Sequence, residues 1–275
     1  MTDFSISRFG KIIRWEAATM YKEILSKTAA MFFAFMVPFV IHLLSGYNAT
    51  DESLADSLLV AFITNQTIFI VIAAIGGSWI FSNMKTKEQR VMFKTLPASD
   101  LEKFVVRALY VTLVWWCMAV VAFCMADLLR MLICLITGVD VVKCLIPELL
   151  SSIFSFNAGN VGGVRFGDVL PDTAVKASVY GFIFWVYSLY ILGGTLFRRH
   201  QFVMTSVVYS VIGLLGMLLL FNVLDGTDKA TVILMIDVWL WTFFALTVAV
   251  GVFNWWLSYR IFRRMQVINN KWINL

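Results

Sequence analysis

The sequence predicts an all-α polytopic membrane protein. Six transmembrane helices are expected, with an N-terminal amphipathic interfacial helix and a cytoplasmic helix between spans two and three. Three observations carry that expectation. Hydrophobic residues make up 60% of the chain and charged residues 14%, with a mean hydropathy of +0.84. A soluble domain averages about 45–50% apolar and about 25% charged, so lipid must be the solvent for much of this surface. Apolar runs long enough to cross a bilayer, about 20 residues each, recur along the chain. Lys and Arg gather on one side of those runs. No stretch is long and polar enough for a separate soluble domain, so residues 1–275 read as a single transmembrane domain.

Residues 1–28 open the chain as the interfacial helix. Wound as a helix, Phe9, Ile12, Ile13, Met20 and Ile24 share one face, while Lys11, Arg14, Ala18 and Lys22 lie opposite. That pattern suits the inner membrane interface, with the basic groups toward anionic headgroups. Glu16, Glu23 and Lys27 interrupt the apolar face and are expected to pair with one another or with a neighbouring element. The first span runs from about Ala29 to Ser45. It follows a charged segment and no small-residue cleavage site comes after it, so no cleaved leader is expected.

The second span, Ser57 to Ser82, carries four adjacent polar residues: Thr64, Asn65, Gln66 and Thr67. In lipid these are costly unless they face protein or water. They read either as helix-to-helix hydrogen bonding or as the lining of a substrate path. The tandem glycines Gly76-Gly77, and Gly193-Gly194 in span four, read as close-packing or kink points.

Residues 83–104 form the cytoplasmic segment. From Lys85 to Arg107, six of 23 residues are basic: Lys85, Lys87, Arg90, Lys94, Lys103 and Arg107. Leu96-Pro97-Ala98-Ser99 reads as a turn, because Pro97 disfavours a helical Leu96. Ser99 with Glu102 makes an S-x-x-E capping box that starts the third span sharply. The short helix before the turn offers Met84, Val91, Met92 and Phe93 beside Lys85, Lys87, Arg90 and Lys94. Such an apolar knob in a basic collar can fill a groove on a soluble partner; the bland alternative is a basic loop resting on anionic lipid.

The third apolar run begins at Val105 and passes Ala126 to about Thr137. Asp127 and Arg130 stand three apart, where they can neutralise each other as the helix leaves the membrane. Residues 138–176 form the longest outer segment, and residues 144–156 within it, CLIPELLSSIFSF, read as a short helix at the outer leaflet. Residues 157–168, NAGNVGGVRFGD, lack the GxGxxG spacing and a preceding strand, and read as a flexible loop. Spans four to six are Ala177–Phe197, Val203–Leu224 and Val232–Tyr259. On the fifth, Ser206, Ser210, Gly213 and Gly216 make a small-residue stripe suited to close packing.

Orientation follows from charge. Residues 1–28, 83–107, 198–199 and 260–271 hold 17 of the 22 Lys and Arg residues. The opposite loops are acidic, with Asp51, Glu52, Asp56, Asp168, Asp172, Asp225 and Asp228. This bias places both termini in the cytoplasm and the protein in the cytoplasmic (inner) membrane. The formal charge of +5 belongs to these flanks, so no nucleic acid partner is expected.

Several chemistries are not encoded. No GxxxxGK[ST] loop is present, so nucleotide is not bound in the Walker manner. His42 and His200 are the two histidines and no CxxC or HExxH spacing occurs, so neither a metal site nor an enzyme is expected. Cys117 and Cys124 read as small hydrophobes inside a span. Cys134 and Cys144 are close enough in sequence for a disulfide at the outer face.

Leu96-Pro97-Ala98-Ser99, followed by Glu102-Lys103-Phe104 and Arg107, resembles a stretch of the type-2 ABC exporter permeases. In that family an LP-x-S turn with a following basic residue opens the third span. The layout is similar too: an amphipathic N-terminal helix, six spans, both termini inside and a structured loop between spans two and three. The resemblance implies a permease subunit energised by a separate ATP-binding subunit, which would carry the ATP and Mg; no cofactor is expected on this chain. A second permease subunit would complete a homo- or heterodimer. The docking loop would use Arg90, Met92, Phe93, Leu96, Pro97, Ser99 and Glu102 as ATPase-coupling residues. Thr64, Asn65, Gln66 and Thr67 would be candidate pathway residues. The alternative is a non-transporting polytopic membrane protein, such as an immunity or assembly factor.

Overall fold

A computed structural model describes residues 4–45, 51–84, 86–138, 143–154, 172–197, 200–225 and 229–265. The protein is an all-α polytopic membrane protein. Its helices are α1 (Ile6–Ser45), α2 (Asp51–Ser78), α3 (Lys87–Thr95), α4 (Asp100–Leu109), α5 (Trp115–Thr137), α6 (Ile146–Phe154), α7 (Asp172–Leu196), α8 (Gln201–Asp225) and α9 (Lys229–Arg264). A π turn, Tyr110–Val114, joins α4 to α5, so Asp100–Thr137 is one long helix. Among the described residues six helices are long and apolar enough to cross a membrane, and each overlaps one expected span.

Two expected boundaries are absent. The interfacial helix of residues 1–28 and the first span are not separate elements, because α1 runs unbroken through residue 29. Leu25-Ser26-Lys27-Thr28 contains neither Gly nor Pro, and the Thr28 hydroxyl donates to the Ile24 carbonyl four residues back, leaving nothing to stop the helix. The third helix likewise does not end at the Asp127–Arg130 pair. It continues to Thr137 and closes on Gly138, whose left-handed backbone (φ 71°) suits glycine. The short helix expected in the outer segment is present as α6, whereas residues 157–168 lie outside the described residues.

The chain forms two compact units, Met1–Gly76 with Val105–Ser155, and Gly77–Phe104 with Phe156–Leu275. In the first, α1 packs along α5. Lipid gives apolar helices no hydrophobic reason to associate, so shape complementarity must hold them. Here it comes from interlocked rings. Phe123 meets Phe35 edge-on at 5.6 Å and Phe39 at 5.9 Å, and Phe69 meets Trp116 at 5.2 Å. The Trp115 indole lies across Gly76 and donates to the Ile72 carbonyl at 2.8 Å, so any side chain at position 76 would strike the ring.

In the second unit α7 packs against α8 and α9. Gly181 sits under Thr247 and Phe244, Gly193 under Thr205, and Gly194 against the Ser78 backbone carbonyl. Hydrogen bonds from Ser178 to the Leu240 carbonyl and from Asn254 to Ser188, both 2.9 Å, join α7 to α9. The tandem glycines are therefore close-packing points. The stripe on α8 differs: within 4 Å of where side chains at Gly213 and Gly216 would begin there is nothing. All four cysteines are free, including Cys134 and Cys144.

Candidate functional site

The segment between the second and third long helices is built around a helix of nine residues, too short to persist alone. Both of its ends are fixed. At the start, Gln89 N donates to Thr86 Oγ1 at 3.2 Å while Thr86 N donates to Gln89 Oε1 at 3.3 Å, a reciprocal cap. At the far end Leu96 turns extended (ψ 137°) ahead of Pro97. Lys103 Nζ then reaches back to the Lys94 carbonyl at 2.8 Å, satisfying one of the last carbonyls of α3. The capping box expected from Ser99 and Glu102 is present: Glu102 N donates to Ser99 Oγ at 3.2 Å and Ser99 N to Glu102 Oε2 at 2.9 Å.

What seats this helix is Phe93, which is only 1% exposed. Its ring meets Phe262 of α9 edge-on at 6.3 Å, and Phe262 in turn stacks on Phe81 at 4.8 Å and meets Phe104 at 6.0 Å. Lys94 repeats the connection with its charge. Its Nζ donates to Asp100 at 3.2 Å and to the Phe262 carbonyl at 3.0 Å, and lies 4.0 Å from the Phe262 ring centre.

These contacts correct the expected partition of the loop. Phe93, Met84 and Lys94 do not belong to an outward knob and collar; Phe93 and Met84 are buried and Lys94 is committed to internal bonds. Glu102 is buried too, acting as the cap of α4. The residues left facing outward are Thr86, Lys87, Glu88, Gln89, Val91, Met92, Thr95 and Pro97, with Arg90, Leu96 and Ser99 half-buried. Met92 is 54% exposed and Val91 41%. Phe262, Asp100 and Lys103 complete the seat, and sequence reasoning gave the first two no role.

The polar cluster of α2 is split by the helix. Thr64 and Thr67 are exposed and donate to their own helix, to the Val60 and Ile63 carbonyls at 2.8 and 3.1 Å. Gln66 is half-buried. Asn65 points the other way, fully buried on the stripe of Leu58, Ala61, Phe69 and Ile72. Among the described residues neither atom of its amide has a hydrogen-bond partner. The four residues thus do not form one polar face, because successive helical positions turn by about 100°.

An unpaired buried amide carries a desolvation cost of about 1–3 kcal/mol. Asn65→Leu, which keeps the branching at Cγ and removes the polar atoms, should therefore raise the thermal midpoint of the purified protein. A lower midpoint would mean that the added bulk outweighs the relief of the unpaired amide.

Other charges in the long helices are paired. Glu16 of α1 meets Arg107 of α4, and Glu23 meets Lys27 at 2.6 Å, so the charges that interrupt the apolar face of α1 do find partners. Asp127 and Arg130 also pair as expected, at 2.7 Å, and both side chains are wholly buried. Their remaining bonds go to the segment that leads into α6: Leu145 N donates to Asp127 Oδ2 at 2.8 Å, and Arg130 donates to the Lys143 carbonyl. Among the described residues no group of three or more His, Cys, Asp or Glu side chains could hold a metal ion.

Comparison with known proteins adds no relative: no protein-family model, no curated protein and no solved structure matches the chain.

Proposed function

We propose that this chain is the membrane-spanning permease subunit of an ATP-driven, ABC-type exporter, energised by a separate ATP-binding subunit that docks on α3. One observation supports this reading above the others: a nine-residue helix, capped at its start and anchored by Phe93, holds exposed Val91 and Met92 beside Lys87 and Arg90. A segment that merely joined two spans would need none of this. A rigid seat beneath an outward apolar pair is what a helix requires to pass a partner's movement to the spans. ATP and Mg would be bound by the partner. A second permease subunit, identical or not, would complete the transporter. Gln66 and the exposed Thr64 and Thr67 remain the candidate pathway residues, whereas buried Asn65 serves only if the helices part.

The deciding experiment is affinity purification of the tagged chain from its native membrane. Co-purification of a P-loop ATPase supports the permease reading; its absence, with the chain intact, favours the non-transporting alternative.

The proposed orientation, both termini in the cytoplasm of the inner membrane, rests on the placement of 17 of 22 basic residues. On a cysteine-free background, single cysteines at Thr50 or Thr227 should react with an impermeant maleimide in intact cells. Cysteines at Ser5 or Asn269 should react only after lysis. Labelling of Ser5→Cys in intact cells would overturn the topology.

A further inference from the structure

We propose that Cys124 and Cys144 form a reversible disulfide that fastens the start of α6 to the third long helix. Cys144 lies between two anchored neighbours. The Lys143 carbonyl accepts a hydrogen bond from Arg130, and Leu145 N donates to Asp127 Oδ2 at 2.8 Å. Asp127 Oδ1 is in turn held by Arg130 Nε at 3.0 Å and Nη2 at 2.7 Å. The backbone of Cys144 is therefore pinned against this stretch of α5 from both sides.

Cys124 precedes Asp127 by three positions, so it stands one turn away on the same side of the helix. Both thiols are partly accessible. Cys134 offers no such opportunity. It lies a turn beyond Arg130 with its side chain wholly buried, out of reach of an oxidant. Of the two pairings open to Cys144, the structure therefore favours Cys124 over Cys134.

The chemistry is thiol–disulfide exchange. A disulfide oxidant accepts two electrons from the Cys124 and Cys144 thiols; one Sγ–Sγ bond forms, and the two protons leave with the oxidant as its two thiols. In the free-thiol state the segment before α6 is held by non-covalent contacts alone. In the oxidised state its attachment is covalent, so the position of α6 depends on the redox poise outside the cytoplasm. That location rests on the orientation proposed above.

The experiment uses the full chain carrying Cys117→Ser, purified in detergent, exposed to oxidised glutathione, quenched with N-ethylmaleimide, digested and mapped by mass spectrometry. A peptide linking Cys124 to Cys144 is the expected product. A Cys134–Cys144 link, or only alkylated and glutathionylated thiols, would overturn the proposal. In the same background Asp127→Asn should slow the linkage by about tenfold, because the anchored segment loses effective concentration; an unchanged rate would remove the pinning from the argument. The thiol state in intact cells tests the location separately. Linkage in detergent with both thiols reduced in cells would overturn the outward placement while the pairing itself stood.

Discussion

Glu16→Ala should destabilise the folded protein by about 3–5 kcal/mol, the usual cost of leaving a buried charge without its partner. Arg107 is wholly buried and Glu16 nearly so, and they meet across 91 positions of sequence. The guanidinium is also held by Met20 Sδ at 3.2 Å and lies 5.0 Å from the Tyr110 ring centre. None of these groups can replace the lost negative charge. The pair itself need not be a large source of stability, since desolvating two ions offsets most of their attraction. Glu16→Leu combined with Arg107→Met should therefore recover most of the loss. Chemical denaturation in detergent of the single and double variants checks both outcomes. A single variant within about 1 kcal/mol of the wild type would mean that water reaches the pair.

Met92→Asp should weaken association with the proposed ATPase by about 2 kcal/mol or more, roughly thirtyfold, while insertion and folding stay unchanged. A carboxylate at this half-exposed position would have to be desolvated inside the partner's groove and would offset the neighbouring basic charge. Phe93→Ala should behave differently. Its ring is buried against Phe262 rather than offered outward, so truncation leaves a cavity costing about 3–5 kcal/mol and loosens α3 from its seat. Binding and folding should then fall together. Pull-down and thermal unfolding on the same preparations separate the two. Met92→Asp with undiminished binding would argue that α3 rests on lipid.

Where a signal was local, the sequence was legible. The apolar runs located all six long helices, because hydropathy in lipid is set by each segment's own composition. Ser99 with Glu102 and Asp127 with Arg130 were readable because both partners lie three positions apart on one helix. Partners far away in the chain were invisible. Nothing near Phe93 announces Phe262, and the Lys94 bond to the Phe262 carbonyl spans 168 positions. Without those partners an aromatic and a lysine on a polar helix looked like recognition groups when they are fastenings. The continuity of α1 was missed for another reason. A change from charged to apolar composition at residue 29 was read as an end, although composition can change along a helix without bending it. In the candidate pathway, the helix separates neighbours in sequence: Thr64 and Thr67, three positions apart, share one exposed side, while Asn65 turns to the interior.

The π turn at Tyr110–Val114 gives the third helix an uneven tolerance of length changes. A π turn carries one residue more than the α turn it replaces. Deletion of exposed Leu113 can close it to an ordinary turn, keeping Arg107 below and Phe123, Asp127 and Arg130 above in their present rotational phase. Deletion of a single residue between 116 and 122 has no such slack to absorb it. Everything beyond would rotate by about 100°, turning the Asp127–Arg130 pair from the interior toward lipid. Each deletion removes one residue from the same apolar run, yet only one preserves the phase of the helix. In a family of related chains, gaps in this helix should therefore fall within a single turn.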